Sequence, residues 1–92
     1  MKMPAKKVEV MEVDNEGLIS LLGQNVALFC ANFIYAGTLV GVNETCVKLE
    51  GAGIVYETGA FSANKWKDFQ TFPANTHYVM LSAIESFGKI HE

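Results

Sequence analysis

From Asn25 onward the chain repeats with a period of two. Val26, Leu28 and Cys30 face one way and Ala27 and Phe29 the other, which predicts a strand. Asn32 marks a turn, and Ile34 to Val42 reads as a second strand. That strand carries Gly37 and Gly41, where a sharp bend or bulge is expected. Asn43-Glu44 predicts the next turn and Cys46-Val47-Lys48-Leu49 the third strand. Gly51-Ala52-Gly53 interrupts it, as a kink or a hairpin, before Ile54-Val55-Tyr56, and Thr58-Gly59 closes this part. Further on, Tyr78 to Leu81 and Ile84 to Phe87 read as two short strands divided by Ser82-Ala83.

The flanks and the middle follow other patterns. Residues 1–7 form a lysine-bearing arm. Val8, Val10, Met11 and Val13 alternate with Glu9 and Glu12 apart from one slip, as in an edge strand or an extended arm. Asp14-Asn15-Glu16 offers a helix cap, Leu18, Leu21 and Leu22 fall on one helical face, and Gly23 supplies a stop; a short helix is expected. Residues 60–75 are the least regular, with Ser62 placed to cap a helical turn through Asn64 to Asp68 that ends before Phe72-Pro73. The expected organisation is an arm at 1–13, one domain at 14–88 and a tail at 89–92. Its class is mostly β: a short N-terminal helix, then short strands bent into a small, strongly curved barrel.

Composition narrows the choices. At 92 residues there is room for one small core. Half the residues are hydrophobic and only 18% are charged, against about 25% in ordinary globular domains. A chain that is disordered as a whole is excluded, because such chains are polar and charge-rich. A spanning helix needs roughly twenty apolar residues, and the longest apolar run here, Val26 to Ala31, has six. No apolar stretch backs the early lysines, so no signal peptide is expected and a cytoplasmic location is the default. All seven basic residues are lysine, which removes the guanidinium fork that reads guanine edges, and the net charge is −3. The apolar excess on so small a chain predicts that part of it lies between subunits.

Leu22-Gly23-Gln24-x-Val26, followed by Tyr35-x-Gly37-x-Leu39-x-x-x-Asn43, resembles the first motif of the Sm and Sm-like proteins. Val79 to Phe87 sits where their second motif would lie. The stretch Gly59-x-Phe61-Ser62 through Pro73, then Ala83-Ile84, is also similar to small Sm-like barrels encoded by phages. The resemblance implies a five-stranded, SH3-like barrel after a helix and a closed homo-oligomeric ring of about five to seven subunits. It further implies binding of single-stranded RNA or DNA. The ring contact would pair one subunit's strand through Tyr78, Val79, Met80 and Leu81 with the next subunit's strand through Ile84 and Phe87. The residues by which the family holds uridine are largely changed. The acidic position falls on Asn43, the stacking aromatic on Thr45, the Met-Asn pair on Cys46-Val47 and the Arg-Gly pair near Leu81-Ser82.

Candidate chemistry therefore moves elsewhere. Lys65-Trp66-Lys67, flanked by Phe61, Phe69 and Phe72, interleaves ammonium groups with rings, which suits phosphates and unstacked bases. The alternative is that Trp66 and the phenylalanines cover a barrel end or fill a subunit contact. Asn43 keeps a hydrogen-bonding side chain and joins Lys65, Trp66 and Lys67 as a candidate contact. Tyr35 and Tyr56 are expected to pack along strands, and Glu44, Glu50 and Glu57 to face solvent. Cys30 and Cys46, in apolar alternation, are expected as reduced core thiols. There is no Cys-x-x-Cys, and His77 and His91 stand fourteen positions apart, so no metal or other cofactor is implied. Neither a nucleophile elbow nor a phosphate loop appears, and a binding protein is expected in place of an enzyme. Two functions remain. One is a ring binding single-stranded nucleic acid through a degenerate Sm pocket; the other is a structural or adaptor ring that binds another protein.

Overall fold

The alternation becomes a meander of antiparallel strands in the computed structural model, which describes residues 16–90. In chain order these are β1 (Asn25–Cys30), β2 (Ile34–Val42), β3 (Cys46–Glu57), β4 (Asp68–Thr71), β5 (Thr76–Met80) and β6 (Ile84–Lys89). They form one sheet in the order β4-β3-β2-β1-β6, with β5 also paired to β3. Among the described residues the helical pieces are two 3-10 turns, Ile19–Leu21 and Leu81–Ala83. Among the described residues the sheet is not closed by strand pairing.

The bend is built into β3. Ala36 pairs with Gly53 and Thr38 with Glu50, so β3 advances three residues while β2 advances two. The extra residue falls at Gly51-Ala52, and Gly51 takes φ +61°, a conformation that costs glycine nothing. A Cβ on the facing Gly37 would lie 3.0 Å from the Glu50 carbonyl oxygen, so the two backbones close on each other there. Beyond the bend, one half of β3 pairs with β5 and the other with β4. The gap between β4 and β5 is bridged along β3. The Phe72 N–H donates to the Ala52 carbonyl (2.9 Å), and the Gly51 N–H donates to the Asn75 carbonyl (2.9 Å). Gly51-Ala52-Gly53 is thus a kink within one long strand, not a hairpin.

Bending lets one face of a single sheet enclose its own core. Val26 and Leu28 of β1, Leu39 of β2, Val47, Leu49 and Ala52 of β3 and Val79 of β5 form one buried cluster. Leu18 and Leu21 of the first turn and Leu81 of the second pack against it. The opposite face also buries residues, Val55 and a row of small ones. Gly88 pairs with Ala27, Ala27 with Ala36, and Ala36 with Gly53, which makes a row across β6, β1, β2 and β3. Of these, Ala27 and Ala36 are nearly inaccessible to solvent, yet they lie outside the main cluster.

Three sequence expectations differ from what is observed. In place of a short helix before Gly23 stands the three-residue 3-10 turn, because Gly17 (φ +84°) and Gly23 (φ +87°) take left-handed conformations that confine it. The expected cap at Asp14-Asn15 and the arm at 1–13 lie outside the described residues. No helical turn forms from Asn64 to Asp68, and Asp68–Thr71 is a strand, making six strands where five were expected. β6 continues past residue 88, with the Ile90 N–H donating to the Asn25 carbonyl (3.0 Å). The bounds of β1 and β2 agree with the alternation, and the expected division at Ser82-Ala83 falls within the 3-10 turn Leu81–Ala83, with Leu81 outside β5.

Candidate functional site

The loop at residues 58–67 leaves β3 after Glu57 and returns at Asp68, two residues paired with each other. Its base is closed by the Lys67 N–H donating to the Thr58 carbonyl (3.3 Å), and its tip turns where the Ala63 N–H donates to the Ala60 carbonyl (3.0 Å). Gly59, at φ +71°, admits the reversal at the start, where its backbone runs against the Lys67 side chain. The Thr58 hydroxyl donates to the Gly59 carbonyl (2.9 Å). This is a compact surface loop with joined ends.

The loop stands over the row of small residues. Between them lies a cleft of about 230 Å³. Ala27 and Gly88 line it from the sheet, and Phe29 of β1, Phe61 and Trp66 contribute three rings. Asn64 and Lys65 from the loop and Lys89 from β6 border it as well; Lys89 pairs with the core-facing Val26, so its side chain leaves the other face of the sheet. Among the described residues no carboxylate lines it. Trp66, half-buried, also borders a second depression over Ala36 and Gly37, so its ring lies along the row. Phe61 is 72% exposed. A planar group with a negative charge matches this lining, because rings accept a stacked face and ammonium groups an anion.

Of the sequence candidates, Lys65 and Trp66 share the cleft; Lys67 is exposed at the loop base and Asn43 is elsewhere. The loop leaves from one end of β3, and Asn43 lies beyond the other. The Asn43 side-chain oxygen accepts from the Thr45 N–H (2.8 Å), the Cys46 N–H (2.9 Å) and the Thr45 hydroxyl (3.1 Å). Its work is to hold the β2–β3 turn. Phe29 and Gly88 were not among the sequence candidates. They meet the loop only through strand register, and the one local signal was the run of Ala and Gly at paired positions.

The candidate interface residues divide by exposure. Tyr78, Met80 and Phe87 are exposed; Val79 is buried in the core, and Leu81 and Ile84 pack against it. A groove lined in part by Phe33, Tyr35, Tyr78 and Met80 separates the β1–β2 turn from β5. Tyr35 packs inward, with ring centroids 5.7 Å from His77 and 6.4 Å from Phe72, while Tyr56 is exposed. Glu44, Glu50 and Glu57 face solvent as expected. Both cysteines are free and half-buried. Burial, and then the Glu85 carboxylate, push the Cys30 thiol above its ordinary range. Among the described residues no cluster of His, Cys, Asp or Glu could hold a metal ion, and no helix is long and apolar enough to cross a membrane.

Comparison with known protein families, with curated proteins and with solved structures finds no match.

Proposed function

We propose that the chain is a ring-forming module of the Sm-like kind that binds single-stranded nucleic acid, and that it is a binding protein and not an enzyme. The observation that carries this reading is the cleft, where Phe29, Phe61 and Trp66 meet Lys65 with no carboxylate among the described lining residues. In a chain of net charge −3, that local excess of positive charge is set against the overall field. In this reading β4 and β5 count as one interrupted strand along β3. The bent sheet is then an open five-stranded barrel, and the Ile19–Leu21 turn stands in the place of the N-terminal helix. Among the described residues the outer edges of β5 and β6 have no strand partner, and Tyr78, Met80 and Phe87 are exposed there. Pairing β5 of one subunit with β6 of the next would continue the sheet and remove both edges. Free thiols fit a cytoplasmic setting.

An adaptor ring that binds another protein is the second reading, favoured by the exposed Phe61 at the loop tip. A gel-shift series with single-stranded RNA and DNA over rising salt separates the two. The nucleic-acid reading requires a shift at low salt that fades as salt rises; no shift at any salt leaves the adaptor reading.

A further inference from the structure

The last strand of the sheet is open on one side. Among the described residues nothing pairs with the outer edge of β6, and such edges are ordinarily covered or blunted. Register fixes what that edge presents. Val26 pairs with Lys89 and Leu28 with Phe87, so both of those side chains lie on the core face. Ala27 pairs with Gly88, which puts Gly88 on the face of the cleft. Because the Ile90 N–H donates to the Asn25 carbonyl (3.0 Å), alternation turns the Ser86 and Gly88 N–H groups toward β1 and those of Phe87 and Lys89 outward. Phe87 is 42% exposed, and a Cβ on Gly88 would meet no atom within 4 Å.

The chain before Glu16 carries a segment suited to this edge. Val8-Glu9-Val10-Met11-Glu12-Val13 is six residues long, as β6 is, with two carboxylates spaced among apolar side chains. Residues 16–24 lead into β1, whose start lies beside the end of β6. The eight residues back from Glu16 span up to about 26–29 Å, more than the roughly 20 Å of a six-residue strand.

We propose that residues 8–13 add to the outer edge of β6 as a parallel strand, with Val10 beside Phe87, Glu12 beside Lys89 and Met11 beside Gly88. The direction follows from the connection, which brings residue 13 to the Lys89 end. The register follows from chemistry, since it sets a valine against the exposed ring and a carboxylate against the ammonium group. Shifted by one residue, Val13 would meet Lys89 and Glu12 the apolar floor of the cleft. Met11 instead lies on the cleft face, its thioether toward the rings of Phe29 and Trp66. The same edge is the one that the proposed ring gives to β5 of the next subunit. Arm and neighbour exclude each other, so the arm covers a lone subunit and leaves as a ring closes. The cover itself does not depend on the ring.

Amide hydrogen exchange, read residue by residue by NMR on the full chain, tests this. The chain carries Tyr78→Lys and Met80→Lys, at exposed positions whose change bars ring pairing through β5. The Phe87 and Lys89 N–H groups should exchange about tenfold more slowly than in the same chain with Val10→Asp added, at rates unchanged on dilution. Glu12→Lys should speed the exchange of Phe87 about twofold, and Lys89→Glu added to it should restore the original rate. Rapid exchange of Phe87 and Lys89 with the arm intact overturns the proposal. Equal slowness in the Val10→Asp chain overturns it as well, because something other than the arm then covers the edge. Slowing at positions 78 and 80, in place of 87 and 89, puts the arm on β5 and has the same result. The ring is judged separately: a wild-type chain that stays a single subunit, with Phe87 and Lys89 slowed, ends the ring and upholds the cover.

Discussion

Two glycines in the same cross-strand row face opposite demands. A Cβ on Gly53 would lie 2.3 Å from the Gln70 carbonyl oxygen and 2.8 Å from the Phe69 ring, so β4 can pair there only because no side chain intervenes. Gly53→Ala should cost about 1–3 kcal/mol as β4 is pushed away. At roughly 4–8 °C per kcal/mol for a domain of this size, thermal unfolding resolves that easily. Gly88→Ala meets open space and should gain about 0.5–1 kcal/mol, since glycine within a strand is entropically costly. Shifts of the same sign in the two variants, measured at one protein concentration, would contradict this packing. Cys30 supplies a chemical check. Its folded pKa lies above the unfolded one, through burial first and Glu85 second. The stability this contributes is complete below the unfolded pKa and is lost as pH rises through the folded value, in the alkaline range. At neutral pH, native Cys30 should alkylate slowly and become fully reactive on unfolding. Rapid labelling of the native protein would refute that environment.

At the scale of elements, β3 is the spine, and the turn that starts it depends on one side chain. Three hydrogen bonds converge on the Asn43 side-chain oxygen. Asn43→Ala should therefore destabilise the fold by roughly 1–2 kcal/mol. The folded variant should keep its affinity for single strands, because the cleft is built from the loop at the other end of β3. A selective loss of affinity with unchanged stability would return Asn43 to the binding site. The same contrast explains what was legible. β1 and β2 were readable because each is a largely apolar run followed by an asparagine turn, even though β2 shifts register near Gly37 and Gly41. β4 was not, since Asp68–Thr71 is short and half polar, and its place depends on the bent half of β3. The leucine spacing before Gly23 suggested a helix, but the left-handed Gly17 confines it to a single turn. Lys65 and Trp66 announced themselves by type. Phe29 and Gly88 did not, because only the pairing of β1 with β6, which sets Gly88 opposite Ala27, brings them to one face.

For the whole molecule, the proposed ring turns on the edges of β5 and β6, which no described strand covers. Such edges with exposed Tyr78, Met80 and Phe87 would invite uncontrolled association unless a closed contact covered them. Light scattering coupled to size exclusion should report several subunits at micromolar concentration. Tyr78→Lys with Met80→Lys, which alters outward side chains and leaves Val79 in the core, should reduce the mass to that of one subunit. A wild-type monomer would end the ring proposal. In the proposed ring, repetition of one small cleft would convert weak contacts into avidity.

Binding of a labelled single-stranded oligonucleotide by wild type and by Trp66→Ala, followed by anisotropy over rising salt, tests the central claim most directly. Wild type should bind at low salt, with log affinity falling against log salt by about 0.7 per phosphate neutralised. Trp66→Ala should lose about 1–3 kcal/mol per stacked base, roughly a five- to 150-fold weakening, with its subunit count unchanged. An unchanged anisotropy for wild type at low salt, or equal affinities for the two proteins, would contradict the account.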